Sequence, residues 1–156
     1  MSARVPNQAT AASALGGLLM PPFQFGTGDS GEWWILDMPE LHLGADVLVP
    51  ALAGWRRERM PALPMDHVFS TPPDWVCEVI SPSNVRVARL KKMPLYTRHE
   101  VAYAWLLDPE QQLLEAYRRQ GTGWLLGMYG DEPVVRVEPF ESVELDLTLI
   151  WGELPV

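Results

Sequence analysis

The stretch "PPDWVCEVISPS", Pro72 to Ser83, sets one carboxylate, Glu78, inside an apolar run. Side chains alternate along a strand, so Val76, Glu78 and Ile80 share one face and Trp75, Cys77 and Val79 the other. A lone buried carboxylate costs several kcal/mol unless it is paired, hydrogen-bonded or bound to a metal. Two explanations compete. Glu78 is either an ion-paired residue near a sheet edge, matched to one of the arginines, or a metal ligand or general base. The next segment, Arg86 to Arg98, carries Arg86, Arg89, Lys91, Lys92 and Arg98 and no acid. It reads either as a solvated helix face or as a phosphate-contacting one. "WRRER", Trp55 to Arg59, is a second basic patch open to the same two readings.

Other chemistry-bearing residues are weaker candidates. Glu40 and His42 alternate on one strand face and could form a metal pair, but no third ligand lies near them in sequence. His67 and His99 are isolated. Cys77 is the single cysteine, which excludes an intrachain disulfide and points to a reducing, cytoplasmic setting. Its place in the apolar run makes it a small core residue rather than a nucleophile.

Composition bounds what these residues can do. The chain has 156 residues, of which 47% are hydrophobic and 21% charged, in the range of one soluble globular domain. No stretch reaches the roughly 18 apolar residues of a membrane span, so no membrane partner is expected. A net charge of −8 opposes nonspecific binding to nucleic acid, leaving any phosphate contact to the local basic segments. Seven tryptophans anchor a core or expose an aromatic surface for association, a homodimer being the simplest case.

The elements that must position Glu78 follow from periodicity and chain breakers. A helix is expected from about Gln8 to Met20, followed by a loop over 21–32 that holds Pro21, Pro22, Gly26, Gly28 and Gly31. "EWWILD" reads as a strand. "DVLVPALAGW" reads as a second, and Pro50 within it argues for an edge position or a break. An irregular crossing with Pro61, Pro64, Pro72 and Pro73 leads to "WVCEVI", a strand covered on both faces. Ser81, Ser83 and Asn84 can cap a helix from about Val85 to Arg98, in which Pro94 should introduce a kink or a shortening. "VAYAWLLD" is the next strand. "LLEAYRR" and "WLLGMY" form a hairpin about Gly121–Gly123, and "VVRV" and the alternating "VELDLTLI" complete a strand-rich C-terminal half. The expected fold class is α/β with a sheet of mixed direction and few helices. Residues 1–30 form an N-terminal helix and loop, and 31–156 the main domain.

The words "PPDWVCEVISPS", "KKMPLY" and "YAWLLDP", with "ELHLGADVLVPALAGWRRERMP" before them, resemble the Uma-type restriction endonuclease family over roughly residues 30–152. The resemblance implies a PD-(D/E)XK nuclease fold, a restriction-endonuclease-like mixed sheet with flanking helices, in a bacterial protein. Relative to that pattern the chain looks short at its N-terminus. It implies metal-assisted phosphodiester hydrolysis, with Mg²⁺ or Mn²⁺ as cofactor and nucleic acid, DNA above all, as partner. An aspartate and a glutamate hold the cation, and a lysine steadies the developing charge. Glu78 matches the family glutamate. The lysine falls one turn before Tyr96, which gives Lys92 with Lys91 beside it, and helical phase does not separate the two. Arg86, Arg89 and Arg98 become the candidate nucleic-acid contacts.

The family aspartate follows a proline in the preceding strand, and the matching position is Ala51, after Pro50. Alanine cannot ligate a metal. Asp46 is an alternative ligand, but it differs from position 51 by an odd number and needs a bulge at Pro50 to reach the same face. Asp74 shares parity with Glu78 but lies about 13 Å away along an extended chain. Asp37 is a weak accessory carboxylate, and Ala88 stands where the family often has an acid before the lysine. The expectation is a nuclease framework with a damaged metal site. The alternatives are an active nuclease that uses Asp46, and a noncatalytic nucleic-acid-binding or oligomeric scaffold that associates through tryptophans.

Overall fold

A computed structural model of the chain describes residues 8–26 and 31–153. Its strands are β1 (Trp33–Asp37), β2 (Glu40–Leu43), β3 (Asp46–Leu48), β4 (Leu52–Arg56), β5 (Val68–Phe69), β6 (Trp75–Val79), β7 (Tyr103–Asp108), β8 (Leu113–Gln120), β9 (Gly123–Tyr129), β10 (Val134–Val135) and β11 (Leu145–Asp146). A six-stranded sheet runs in the order β1-β4-β6-β7-β8-β9, beside a three-stranded β3-β2-β5 sheet and the β10-β11 pair. In the large sheet β6 and β7 are parallel and the remaining neighbours antiparallel. A parallel pair needs a crossover. Here it contains α2 (Val85–Val87), a π-helical segment Ala88–Lys92 and α3 (Met93–Arg98), which follow one another without a gap. The expected α/β mixed sheet with flanking helices is what forms.

The sheet separates two apolar layers. On one face, α1 (Gln8–Leu19) and α4 (Leu147–Ile150) cover Trp33, Ile35, Leu52, Trp75, Cys77, Val79 and Trp105. On the other, the helical crossover and the small sheet cover Ala53, Trp55, Val76, Ile80, Ala104 and Leu106. The strand alternation read from "WVCEVI" therefore holds residue by residue, and all of β6 is buried. Cys77 is fully buried, and burial pushes its thiol up, as befits a core residue. Trp75 meets Trp105 edge-on at 5.2 Å and Phe140 at 5.0 Å, with Phe140 also 4.8 Å from Trp33. Gly54 lies between these rings: a Cβ there would stand 3.1 Å from Trp33 and 3.2 Å from Trp75. Five of the seven tryptophans are buried and anchor the core, while Trp34 and Trp124 are half-buried.

Several local expectations change. α1 ends at Leu19, but Met20–Gln24 continues as a π turn rather than opening a loop, and Phe23 joins the core. Of the predicted 21–32 loop, residues 27–30 lie outside the described residues. Pro50 breaks the predicted long strand into β3 and β4, which belong to different sheets, and β4 is interior rather than an edge. "VELDLTLI" is a strand only at Leu145–Asp146. The Asp146 carboxylate accepts from the Thr148 backbone N–H at 3.0 Å and turns the chain into α4. A local cap outweighs strand alternation there, because α4 buries Leu147 and Ile150 against α1's layer.

Candidate active site

Glu78 sits near the C-terminal end of β6, 6% exposed, on the face covered by the helical crossover. Two side chains of that crossover reach it. Lys92 Nζ lies 3.2 Å from Oε1, and the Tyr96 hydroxyl donates to Oε2 at 2.5 Å. Positions 92 and 96 are one helical turn apart, so a single helix face delivers both donors. Burial lifts the Glu78 carboxyl above its ordinary range, while Tyr96 and Lys92 pull it back. Burial, and then the neighbouring carboxylate, push the Tyr96 phenol well up, which keeps it a donor.

The π segment explains why helical phase could not choose between the lysines. The Met93 N–H reaches back five residues to the Ala88 carbonyl, so one extra residue is accommodated in the turn. The buried positions are Ala88, Met93 and Tyr96, a stripe with no single period. Lys92 thereby lines the cleft, and Lys91 is exposed. Pro94 is tolerated in the first turn of α3, and the helix reaches Arg98. Capping also differs from expectation. The Asn84 side chain caps no helix N–H. Its Oδ1 accepts from Ser81 N (2.8 Å) and its Nδ2 donates to the Val79 carbonyl (3.1 Å), which clamps the turn after Glu78.

The cleft holds about 620 Å³ and wraps over the ends of β4 and β6. α1 contributes small residues to one wall, Ala12, Gly16 and Gly17 among them. Met38, Val49, Pro50 and Ala51 form another part, and Glu78, Asn84 and Lys92 the polar end. β4 and β6 pair as Leu52↔Cys77 and Ala53↔Val76. Continuing that register by one residue sets Ala51 opposite Glu78. Antiparallel partners project to the same face, and Ala51 and Glu78 both line the cleft. Asp37 also lines the cleft and is exposed.

The other candidates go elsewhere. Asp46 is no bulged substitute, because the chain breaks at Pro50. It lies in β3 of the small sheet, 2.8 Å from His99 Nε2 and 3.9 Å from Arg98, and it is not among the residues of the cleft. Asp74 accepts from the Arg56 N–H (2.8 Å) and pairs with Arg59 at 2.9 Å. Arg57 donates to the Trp33 and Gln24 carbonyls, so the "WRRER" patch is largely structural. His42 and Glu40 do approach, at 3.4 Å, with no third ligand beside them among the described residues. Arg89, expected to contact nucleic acid, is instead committed to Glu115 in β8 through two bonds of 2.8 and 2.6 Å, and to Tyr117 at 3.1 Å. Sequence reading missed Glu115 as a partner. The signal was available, since "LLEAY" places a carboxylate in an apolar strand just as "WVCEVI" does. Arg86 and Arg98 remain exposed.

The residues present do not fit a divalent cation. Each Glu78 oxygen already has a donor, position 51 offers a methyl group, and the described residues hold no cluster of three or more acidic, His or Cys ligands.

In the mixed sheet, Glu78 and Lys92 meet near the strand ends, 3.2 Å apart. The family profile "Uma2: Putative restriction endonuclease" matches residues 30–149, and the chain belongs to that family. Its fold is similar to the crystal structure of a "putative nuclease belonging to DUF820" from Anabaena variabilis, with TM-score 0.68 and 20% identity over 98% of this chain and 86% of the other. No curated protein matches the chain. No helix among the described residues is long and apolar enough to cross a membrane.

Proposed function

We propose that this chain keeps the nuclease framework and the glutamate–lysine half of its site, and that it cuts phosphodiesters weakly or not at all. The observation that carries this reading is the β4–β6 register. It sets Ala51 opposite Glu78 in the cleft that Lys92 also lines. The family pattern holds Mg²⁺ or Mn²⁺ with carboxylate oxygens from both positions, and here only Glu78 supplies one, which leaves a cation with fewer protein ligands and a weaker hold. Glu78 is instead held by Lys92 and Tyr96, an arrangement that is stable without metal. Lys92 rather than Lys91 is assigned to the reacting phosphate, and Arg86 and Lys91, exposed on the same helix, to the backbone of a bound strand.

The test is Ala51→Asp. Without metal, the added carboxylate beside Glu78 should lower the melting temperature through like-charge repulsion. Mn²⁺ or Mg²⁺ should raise it again, whereas the wild type should show no such shift. DNA nicking should then rise by about 100-fold or more over wild type, and Glu78→Gln in the same background should abolish it. A wild type that cuts DNA at rates equal to the variant would overturn the reading.

The second reading is a noncutting nucleic-acid binder, favoured by the exposed Arg86 and Lys91 beside the cleft. It requires salt-dependent DNA or RNA binding by wild type, undiminished by chelator.

A further inference from the structure

The large sheet has two edges, and they are treated differently. At the β1 edge the outward backbone groups are capped. The Ile35 N–H donates to the Gln24 side chain at 2.7 Å, and the Trp33 carbonyl accepts from Arg57 Nε at 3.1 Å. The π turn Met20–Gln24 lies alongside and closes that edge. At the other edge is β9, "GWLLGMY", seven residues without a charge. A two-residue turn joins it to β8, with Gln120 paired to Gly123. Alternate residues from there bond to β8, so Trp124, Leu126 and Met128 direct their N–H and C=O groups away from the sheet. No partner for these groups exists among the described residues. Leu125, Leu126 and Met128 are 47%, 46% and 59% exposed, and the Trp124 indole N–H is buried without a partner. Bare apolar edges of this length invite pairing with another strand, and natural proteins normally blunt them with charge, proline or a covering segment. This one has none of the three.

We propose that β9 pairs antiparallel with β9 of a second copy of this chain, joining two six-stranded sheets into one continuous sheet. The strand is self-complementary about Leu126. With the two-fold axis there, Leu126 faces Leu126 of the second copy, and Trp124 faces its Met128. All the outward groups are then satisfied by about six inter-chain hydrogen bonds. The charges agree with that direction. Arg118 and Arg119 in β8, paired with Leu125 and Trp124, stand at the turn end of the strand; Arg118 also meets Glu138 at 3.3 Å, and Arg119 donates to the Thr97 carbonyl at 3.1 Å while keeping its charge. Asp131 and Glu132 follow its far end. Antiparallel pairing brings the basic end of one copy towards the acidic end of the other, whereas parallel pairing would set like ends together. This interface lies on the opposite edge from β1 and does not depend on the state of the cleft.

Sedimentation velocity of the full chain from about 1 to 100 μM should show a dimer that dissociates on dilution. Leu126→Pro removes an N–H that β8 does not use, so the fold should survive, with an unchanged circular dichroism spectrum. The dimer should weaken by about 100-fold or more. Leu126→Cys adds an independent readout, because directly paired Cα atoms lie about 5.5 Å apart, within disulfide reach. Mild oxidation should cross-link it as a dimer, while Leu63→Cys, exposed elsewhere, should stay uncross-linked. The proposal fails if wild type remains monomeric throughout, including in a sample that captures an extended peptide instead. It fails equally if folded Leu126→Pro stays dimeric, or if Leu126→Cys cross-links no better than Leu63→Cys. Should Leu126→Pro not fold, the cysteine comparison alone decides.

Discussion

Two buried carboxylates stand on one row of the sheet. Glu78 in β6 is paired in register with Leu106 in β7, and Leu106 with Glu115 in β8. The two are thus about 10 Å apart on the same face. Each is met by a cation and a tyrosine. Lys92 and Arg89, three residues apart on one helix, supply the cations, and Tyr96 and Tyr117 the hydroxyls. The balance differs. At Glu115 a bidentate guanidinium outweighs burial and holds the carboxyl below its ordinary range. At Glu78 burial outweighs one ammonium at 3.2 Å and one hydroxyl, and the carboxyl is held above it. The same ingredients therefore make a closed structural pair in one place and an under-compensated acid in the other. The under-compensated acid, Glu78, is the one that lines the 620 Å³ cleft, where a raised carboxyl marks a candidate functional group.

Breaking the closed pair should have the largest effect. Arg89→Ala leaves Glu115 buried without its cation. A fully buried pair would lose 3–5 kcal/mol, but Arg89 is 41% exposed and water screens part of the loss, so about 2 kcal/mol is expected in urea unfolding. Lys92→Ala should cost about 1 kcal/mol or less, because Glu78 can take up a proton instead of remaining charged. Equal losses at the two sites would erase the distinction. Next in size is removal of the hydroxyls. Tyr96→Phe takes the hydroxyl donor from an oxygen of the buried Glu78 carboxylate and should cost about 1–2 kcal/mol. Tyr117→Phe should cost about 0.5 kcal/mol, since Arg89 still holds both Glu115 oxygens. Burial first, and then Glu115, push the Tyr117 phenol to about 12, so it stays a donor through the measurable range.

The pair was legible from sequence to unequal degrees. Glu78 could be found because a charge in the run "WVCEVI" is costly and therefore meaningful. The fold followed from alternation in β6 and β7 and from the prolines that break the chain between β3 and β4. What could not be read was anything set by the partner element. The π segment shifts helical phase by one residue, and that shift selects Lys92 over Lys91. Arg89 looks like a phosphate contact until β8 places Glu115 under it. Asp46 looks like a ligand until His99, 53 residues away, occupies it. At Asp146 the deciding signal is local: the carboxylate that alternation would put on a strand face instead caps α4.

The smallest change in overall stability, and the sharpest test of the comparison, comes from pH. Glu115's carboxyl is lowered in the folded state, so its contribution is full above about pH 4.5, the ordinary carboxylate value, and is lost as pH falls through its lowered value. Glu78 has the opposite sign. Its carboxyl is raised, so the folded state binds its proton more tightly than the unfolded chain does. Its contribution is full below 4.5 and lost as pH climbs from there through the raised value. Glu78→Gln keeps the shape and removes the titration. Its melting temperature at pH 7 should match or exceed that of wild type, because an under-compensated charge has gone. Its advantage should shrink as pH drops towards 4.5, where wild-type Glu78 becomes neutral. Glu115→Gln should behave in reverse, weaker than wild type at pH 7 and converging with it in acid. Parallel curves for the two variants would mean that Lys92 compensates Glu78 as fully as Arg89 does Glu115. The cleft carboxylate would then be a second structural ion pair like that of Glu115.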